Sequence, residues 1–140
     1  MTNQRPYTEA IQRLRDVGLR PTRQRLALAR LLFGTGDRHV TAEQLHGEAQ
    51  DAELGVSLAT VYNTLNQFTH AGLMREVVVE PGRSYFDTNT SDHHHFFIEG
   101  PSTLMDIPAD SLSVHGLPDA PDGTSVDRID VIVRVRPSRN

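Results

Sequence analysis

The stretch SLATVYNTLNQFTHAGLMREVVVEPGRSYFD (57–87) constrains this chain more than any other part of it. Ser57 is a favoured N-cap residue, and Leu58, Val61, Leu65 and Phe68 recur at helical spacing, which predicts an amphipathic helix with one buried stripe. Gly72 supplies the left-handed stop. Immediately afterwards two β-rich runs flank Glu80-Pro81-Gly82-Arg83, where Pro then Gly suits the central positions of a type II turn. That predicts a β-hairpin.

Shorter helices precede this unit. TEAIQRLRDVG (8–18) offers Thr8 as a cap, an apolar side of Ile11, Leu14 and Val17, and Gly18 as a stop. In GLRPTRQRLALARLLFGTG (18–36), Pro21 and Thr22 are start signals. Leu26, Leu28, Leu31, Leu32 and Phe33 form its apolar stripe, and Gly34 ends it. TAEQLHGEAQ (41–50) opens with the capping box Thr41–Gln44. Short helices running into a hairpin give the order of a winged helix-turn-helix. The outer face of the 57–70 helix shows Ala59, Thr60, Tyr62, Asn63, Asn66 and Gln67, uncharged groups of the kind that read base edges in a major groove. Most polar helix faces are plain solvated surface. Here the charge distribution and the hairpin favour DNA. Residues 1–38 carry eight Arg against Glu9, Asp16 and Asp37, whereas the rest carries six Arg against fifteen acids. A basic head on an acidic body suits a polyanion at one end. Every cation is Arg, the better fork for phosphates and guanine edges, although codon bias produces the same usage.

The second half differs in kind. DTNTSD (87–92) reads as a polar hinge, and HHHFFIEG (93–100) and STLMDIP (102–108) as short strands. Prolines and glycines limit ADSLSVHGLPDAPDG (109–123) to a loop with at most one helical turn. In VDRIDVIVRVRP (126–137), Ile129, Val131, Val133 and Val135 fall on one face. A sheet this small cannot bury that face alone, so pairing with a second copy is expected. The chain has no cysteine, which excludes disulfides and thiolate metal sites. Its first residues form no apolar signal region, and no stretch approaches the ~20 apolar residues of a membrane span, so a cytoplasmic protein with no membrane partner is expected.

The three consecutive histidines carry the chemistry. Alternate residues of a strand share a face, so His93 and His95 point one way and His94 the other. Two imidazoles thus converge on one ion, with Asp87 before the linker, Asp106 on the next strand and His39 as further donors. Nitrogen and oxygen donors without sulfur suit Fe(II), Mn(II) or Zn(II), and spacing does not choose among them. Haem on His93, His94 or His95 is a second reading, since imidazole is a common axial ligand. A catalytic non-haem metal centre is a third, but it needs an open coordination position and a substrate pocket, for which the short second half leaves little room.

GLRPTRQRLALARLL, HVTAEQLH, VSLATVYNTLNQF, AGLMRE, SYFD and HHHFFIEG resemble the ferric uptake regulator (Fur) family in order and spacing, over about residues 8–136. YFDTNTSDHHHFFIEG followed by LMDIPADSL is most similar to its iron response regulator (Irr) branch. The resemblance implies an α+β chain with a winged-helix DNA-binding domain (1–86), a hinge (87–92) and a small α/β dimerisation and sensing domain (93–140). It implies an iron- or haem-responsive regulator, not an enzyme, that binds double-stranded operator DNA as a homodimer and controls iron and haem metabolism genes. The family's sensing site falls on His39, Asp87, His93, His95 and Asp106, for Fe(II) or Mn(II). Tyr62 would lie against bases, with Asn63 and Thr60 beside it, and Arg20 and Arg25 against the backbone or minor groove. The departures are specific. The family's structural zinc site, built from two Cys-x-x-Cys pairs, has no counterpart, and Ile98 stands where its first cysteine would be. Asn63 replaces the arginine common after the tyrosine. Asp92 and His94 interchange the residues of the usual His-His-Asp-His pattern, a departure at the family's second metal site, and the Cys-Pro haem motif is absent. A peroxide sensor of the PerR type is the alternative within the family; lack of cysteines counts against it.

Overall fold

The computed structural model describes residues 4–138, with side chains from Tyr7 onward, and these form two compact units divided between Thr90 and Ser91. Residues 1–3 and 139–140 of the expected domains lie outside the described residues. The first unit runs α1 (Gln4–Asp16), α2 (Arg23–Phe33), β1 (His39–Val40), α3 (Ala42–Asp51), α4 (Leu58–His70), β2 (Arg75–Glu80) and β3 (Arg83–Asp87). Each of the last three helices starts where a side-chain oxygen takes up an orphan backbone N–H. Thr22 accepts from Arg25, Ser57 from Thr60, and Thr41 and Gln44 close a complete capping box. α4 stops at Gly72, whose φ of 86° only glycine adopts without strain.

The apolar stripes meet in one core. Leu14 from α1, Leu28 and Leu32 from α2, Leu45 from α3, and Val61, Leu65 and Phe68 from α4 are all fully buried. β2 and β3 form the expected antiparallel hairpin, with Gly82 at φ 76° in its turn. The sequence did not announce β1, which joins the hairpin from the far side to give the order β1-β3-β2. Helices that bury one face on each other and end in this small sheet make a winged helix-turn-helix.

The second unit is a sheet of order β5-β4-β6, built from β4 (His94–Ile98), β5 (Thr103–Ile107) and β6 (Ile132–Val135). β5 is antiparallel to β4, whereas β6 returns parallel to it. Among the described residues this unit is a small sheet without a helix, and with the helices of the first unit it makes the chain α+β as expected. The crossover between β5 and β6 carries Pro108, Pro118 and Pro121, which lack an amide donor and whose rings clash with the preceding turn of a helix. The strand expected over 126–137 shrinks to the four residues that β4 can pair. Of the apolar side chains among this unit's described residues, only Phe97, Leu104 and Ile107 are buried, while Met105, Val114, Leu117 and Val126 are exposed. No helix among the described residues is long and apolar enough to cross a membrane.

Candidate metal centre and nucleic-acid interface

β4 begins as the histidine run enters the sheet, and strand geometry then separates the rings. His93 and His95 are buried, while His94 is half-buried and turned away. His95 lies in register with Asp106 of β5. His93 Nε2 lies 3.5 Å and His95 Nε2 3.3 Å from the same Asp106 Oδ1. The two ring centroids are 4.5 Å apart. His93 Nδ1 is 2.7 Å from the Ser91 carbonyl oxygen, which can only accept, so Nδ1 carries the hydrogen. In the neutral ring Nε2 is then a lone pair facing the cluster, the arrangement by which an outer partner orients a metal-binding imidazole. His94 is committed elsewhere: its Nδ1 accepts from the Val131 amide at 3.0 Å.

The other two expected donors lie in the first unit. Asp87 ends β3, is almost wholly buried, and accepts from the Asn89 amide at 2.9 Å. His39 begins β1 directly opposite it, with its ring edge-on to Tyr85 at 6.0 Å. Arg75 of β2 stands opposite Asp87 on the other side, so His39, Asp87 and Arg75 form one cross-strand row. Arg75 is buried, and sequence reasoning missed it. Its signal was period-two alternation, which puts it on the inward face with Val77 and Val79. A guanidinium beside a buried carboxylate offsets part of the cost of removing that charge from water.

The candidate DNA residues of α2 and α4 divide into two groups. Arg25, Thr60 and Asn63 line one shallow groove of about 290 Å³ between α2 and α4, together with Gln67. Arg25 is held there: Nε and Nη2 donate to Gln67 Oε1 at 3.1 and 3.0 Å, and Nη1 donates to the Arg20 carbonyl at 3.0 Å. Its remaining N–H groups and the exposed Arg20 are the cations next to that groove. Tyr62 lines a different cleft, and its hydroxyl donates to Glu43 Oε2 at 2.7 Å.

The model of the ferric uptake regulator family matches residues 16–115, a span that takes in α2 to α4, the hairpin and the histidine strand β4 with its neighbour β5. This chain belongs to the ferric uptake regulator family. Members of that family are transcription regulators, not enzymes, which removes the catalytic reading of the histidine cluster. The chain is 39% identical over 83 residues to the ferric uptake regulation protein of Vibrio cholerae, covering 59% of this chain and 55% of that protein, so it spans about half the length of that relative. It is 35% identical over 99 residues to the peroxide operon regulator of Bacillus subtilis, covering 71% and 68%. The fold is also that of the ferric uptake regulator of Pseudomonas aeruginosa solved with manganese, at a TM-score of 0.69 and 22% identity, covering 93% of this chain and 98% of that one.

Proposed function

We propose that this chain is a metal-responsive transcription regulator that binds operator DNA as a homodimer, with His93, His95 and Asp106 as the core of its sensing site. The observation that carries the reading is the cluster itself. Two buried imidazoles and one carboxylate offer donor atoms within 4.8 Å of one another. With its hydrogen on Nδ1, the neutral His93 ring turns an Nε2 lone pair towards the Asp106 carboxylate, and a cation bound by both would turn that repulsion into attraction. The donor set is nitrogen and oxygen only, which fits Mn(II), Fe(II) or Zn(II). Asp87 and His39 are proposed as further donors because the family resemblance implies them. A bound ion supplies positive charge that holds all these donors together. The chain's own part is to orient His93 through the Ser91 carbonyl and to keep both rings out of water. Occupancy changes DNA affinity only through tighter binding to one of two chain arrangements.

The finer reading is Irr-like: DNA binding when iron is scarce and release when haem is abundant, at iron and haem metabolism genes. Its support is the His-His-His sequence, with a third imidazole on the opposite side of the strand. Rings 4.5 Å apart suit one small ion between them and leave no space for a porphyrin there, so haem on His93 or His95 requires the cluster to open. The deciding experiment selects duplexes from a randomised library with the purified chain, then measures their binding with Mn(II), anaerobic Fe(II), haem or a chelator. Metal-dependent binding that haem reverses supports the Irr-like reading. Binding that ignores every effector rejects the sensor.

A further inference from the structure

The bond between Tyr62 and Glu43 has no part in folding the core or in the metal cluster. Glu43 lies in the first turn of α3 and Tyr62 on the exposed face of α4. A phenol has a single hydrogen, and Tyr62 gives it to Glu43 Oε2 at 2.7 Å. The lone pairs left on the phenol oxygen can only accept, and so can an ionised carboxylate. Hydrogen bonds to an ionised acceptor are about twice as strong as neutral ones. Here the Glu43 hydrogen bond, followed by partial burial and the charge of the carboxylate, raises the Tyr62 phenol above its ordinary 10.0. The pair therefore stays intact across the neutral range. It lines an open cleft of about 540 Å³ between α3, α4 and the hairpin, where Asn66, Glu76 and Arg83 are its neighbours.

We propose that Glu43 is a specificity-determining residue for the base contact of α4: with Tyr62 it forms an acceptor-only patch that selects an exocyclic amino group, adenine N6 or cytosine N4, over a keto oxygen. The inference rests on the reading of α4 as the base-reading helix. In the major groove adenine and cytosine present an amino group where guanine and thymine present an oxygen. Two acceptors facing that oxygen lose their hydrogen bond and repel it. Glu43 acts here as a positioning residue for Tyr62 as well as an acceptor in its own right.

The test uses the full chain with Mn(II) and duplexes enriched from a randomised library, comparing wild type with Tyr62→Phe, Glu43→Gln and Glu43→Ala. The half-site position whose preference changes in Tyr62→Phe is then probed. Purine replaces adenine there, or pyrimidin-2-one replaces cytosine, which removes only the amino group. The expected result is adenine or cytosine at that position, about a tenfold loss on removing the amino group in wild type, and little loss in Tyr62→Phe. Glu43→Ala should bind amino- and keto-bearing duplexes alike. Glu43→Gln, which keeps an acceptor, should retain part of the preference. Ultraviolet titration adds a readout that a merely structural role would not move: the Tyr62 phenol should ionise at lower pH in Glu43→Ala, with far-ultraviolet circular dichroism unchanged. A keto base at the Tyr62-dependent position, or full discrimination in Glu43→Ala, overturns the proposal. Failure of the wild-type chain to enrich any duplex overturns the operator-binding reading, and this proposal with it.

Discussion

Replacing the three consecutive histidines one at a time separates coordination from support. His93→Ala and His95→Ala should each weaken Mn(II) binding by at least ~10-fold in a calorimetric titration, because loss of even an outer partner of a metal ligand costs about 10–100-fold. His94→Ala should leave Mn(II) affinity near wild type. It should instead cost about 1 kcal/mol of stability, since the Val131 amide loses its acceptor. Equal loss of Mn(II) affinity in all three variants would show that strand alternation does not sort the rings. Arg38 poses a different residue-scale question. It donates to Glu48 Oε1 at 2.9 Å and to the Leu31 carbonyl at 3.0 Å, while its amide binds Thr88 Oγ1 at 2.9 Å. Its side chain is 28% exposed and that of Glu48 is 36% exposed, so solvent screening keeps the ion pair itself below about 1 kcal/mol. Arg38→Ala should therefore cost more than Glu48→Gln in urea unfolding, because only the first abandons the half-buried Leu31 carbonyl. At Tyr62 the phenol's raised value sets the sign of the pH effect. What its bond to Glu43 contributes is fully present below pH 10.0 and lost as pH rises through the raised value.

The helices of the first unit depend on their ends. Thr41 accepts from the Gln44 amide at 3.1 Å, and the Gln44 side chain accepts from the Thr41 amide at 2.9 Å. Thr41→Ala removes one half of that exchange and should lower stability by about 1 kcal/mol, read as a shift in the urea midpoint at constant slope. Gly72→Ala meets no neighbouring atom within 4 Å, so crowding is not the issue. The cost of about 1 kcal/mol comes from holding alanine at φ 86°. An unchanged midpoint for Gly72→Ala would mean that the end of α4 relaxes at no cost.

As a whole molecule, the chain has one well-covered unit and one thin one. Among the described residues of the second unit only three apolar side chains are buried, and Ile132, Val133 and Val135 of β6 are half-exposed. A three-stranded sheet with so little cover is marginal alone. The chain should sediment as a homodimer at micromolar concentration even without metal, and Val133→Asp should shift it towards monomer. A stable wild-type monomer would reject that assembly. DNA binding should be steeply salt-dependent, and Arg20→Ala should flatten the slope of log K against log[salt] by roughly one unit, the release of one phosphate's counterions. An unchanged slope would remove Arg20 from the DNA backbone.

By itself the sequence determined what is settled within a few residues of chain. Thr41–Gln44, Ser57, Gly72 and Pro81-Gly82 are local devices whose geometry depends on side chains no more than four positions away. Alternation sorted His93 and His95 from His94 for the same reason. Tertiary structure decided whatever joins distant segments. β1 exists only because β3 offers it an edge, and β6 lies parallel to β4 because a long crossover returns it there. The Arg25–Gln67 fork spans 42 positions and the His94–Val131 bond 37. The Tyr62–Glu43 bond, between two helices that each read clearly in the sequence, depends on how their axes cross. Capping and periodicity encode no crossing angle; packing of the shared core sets it, and with it which polar groups meet at the surface.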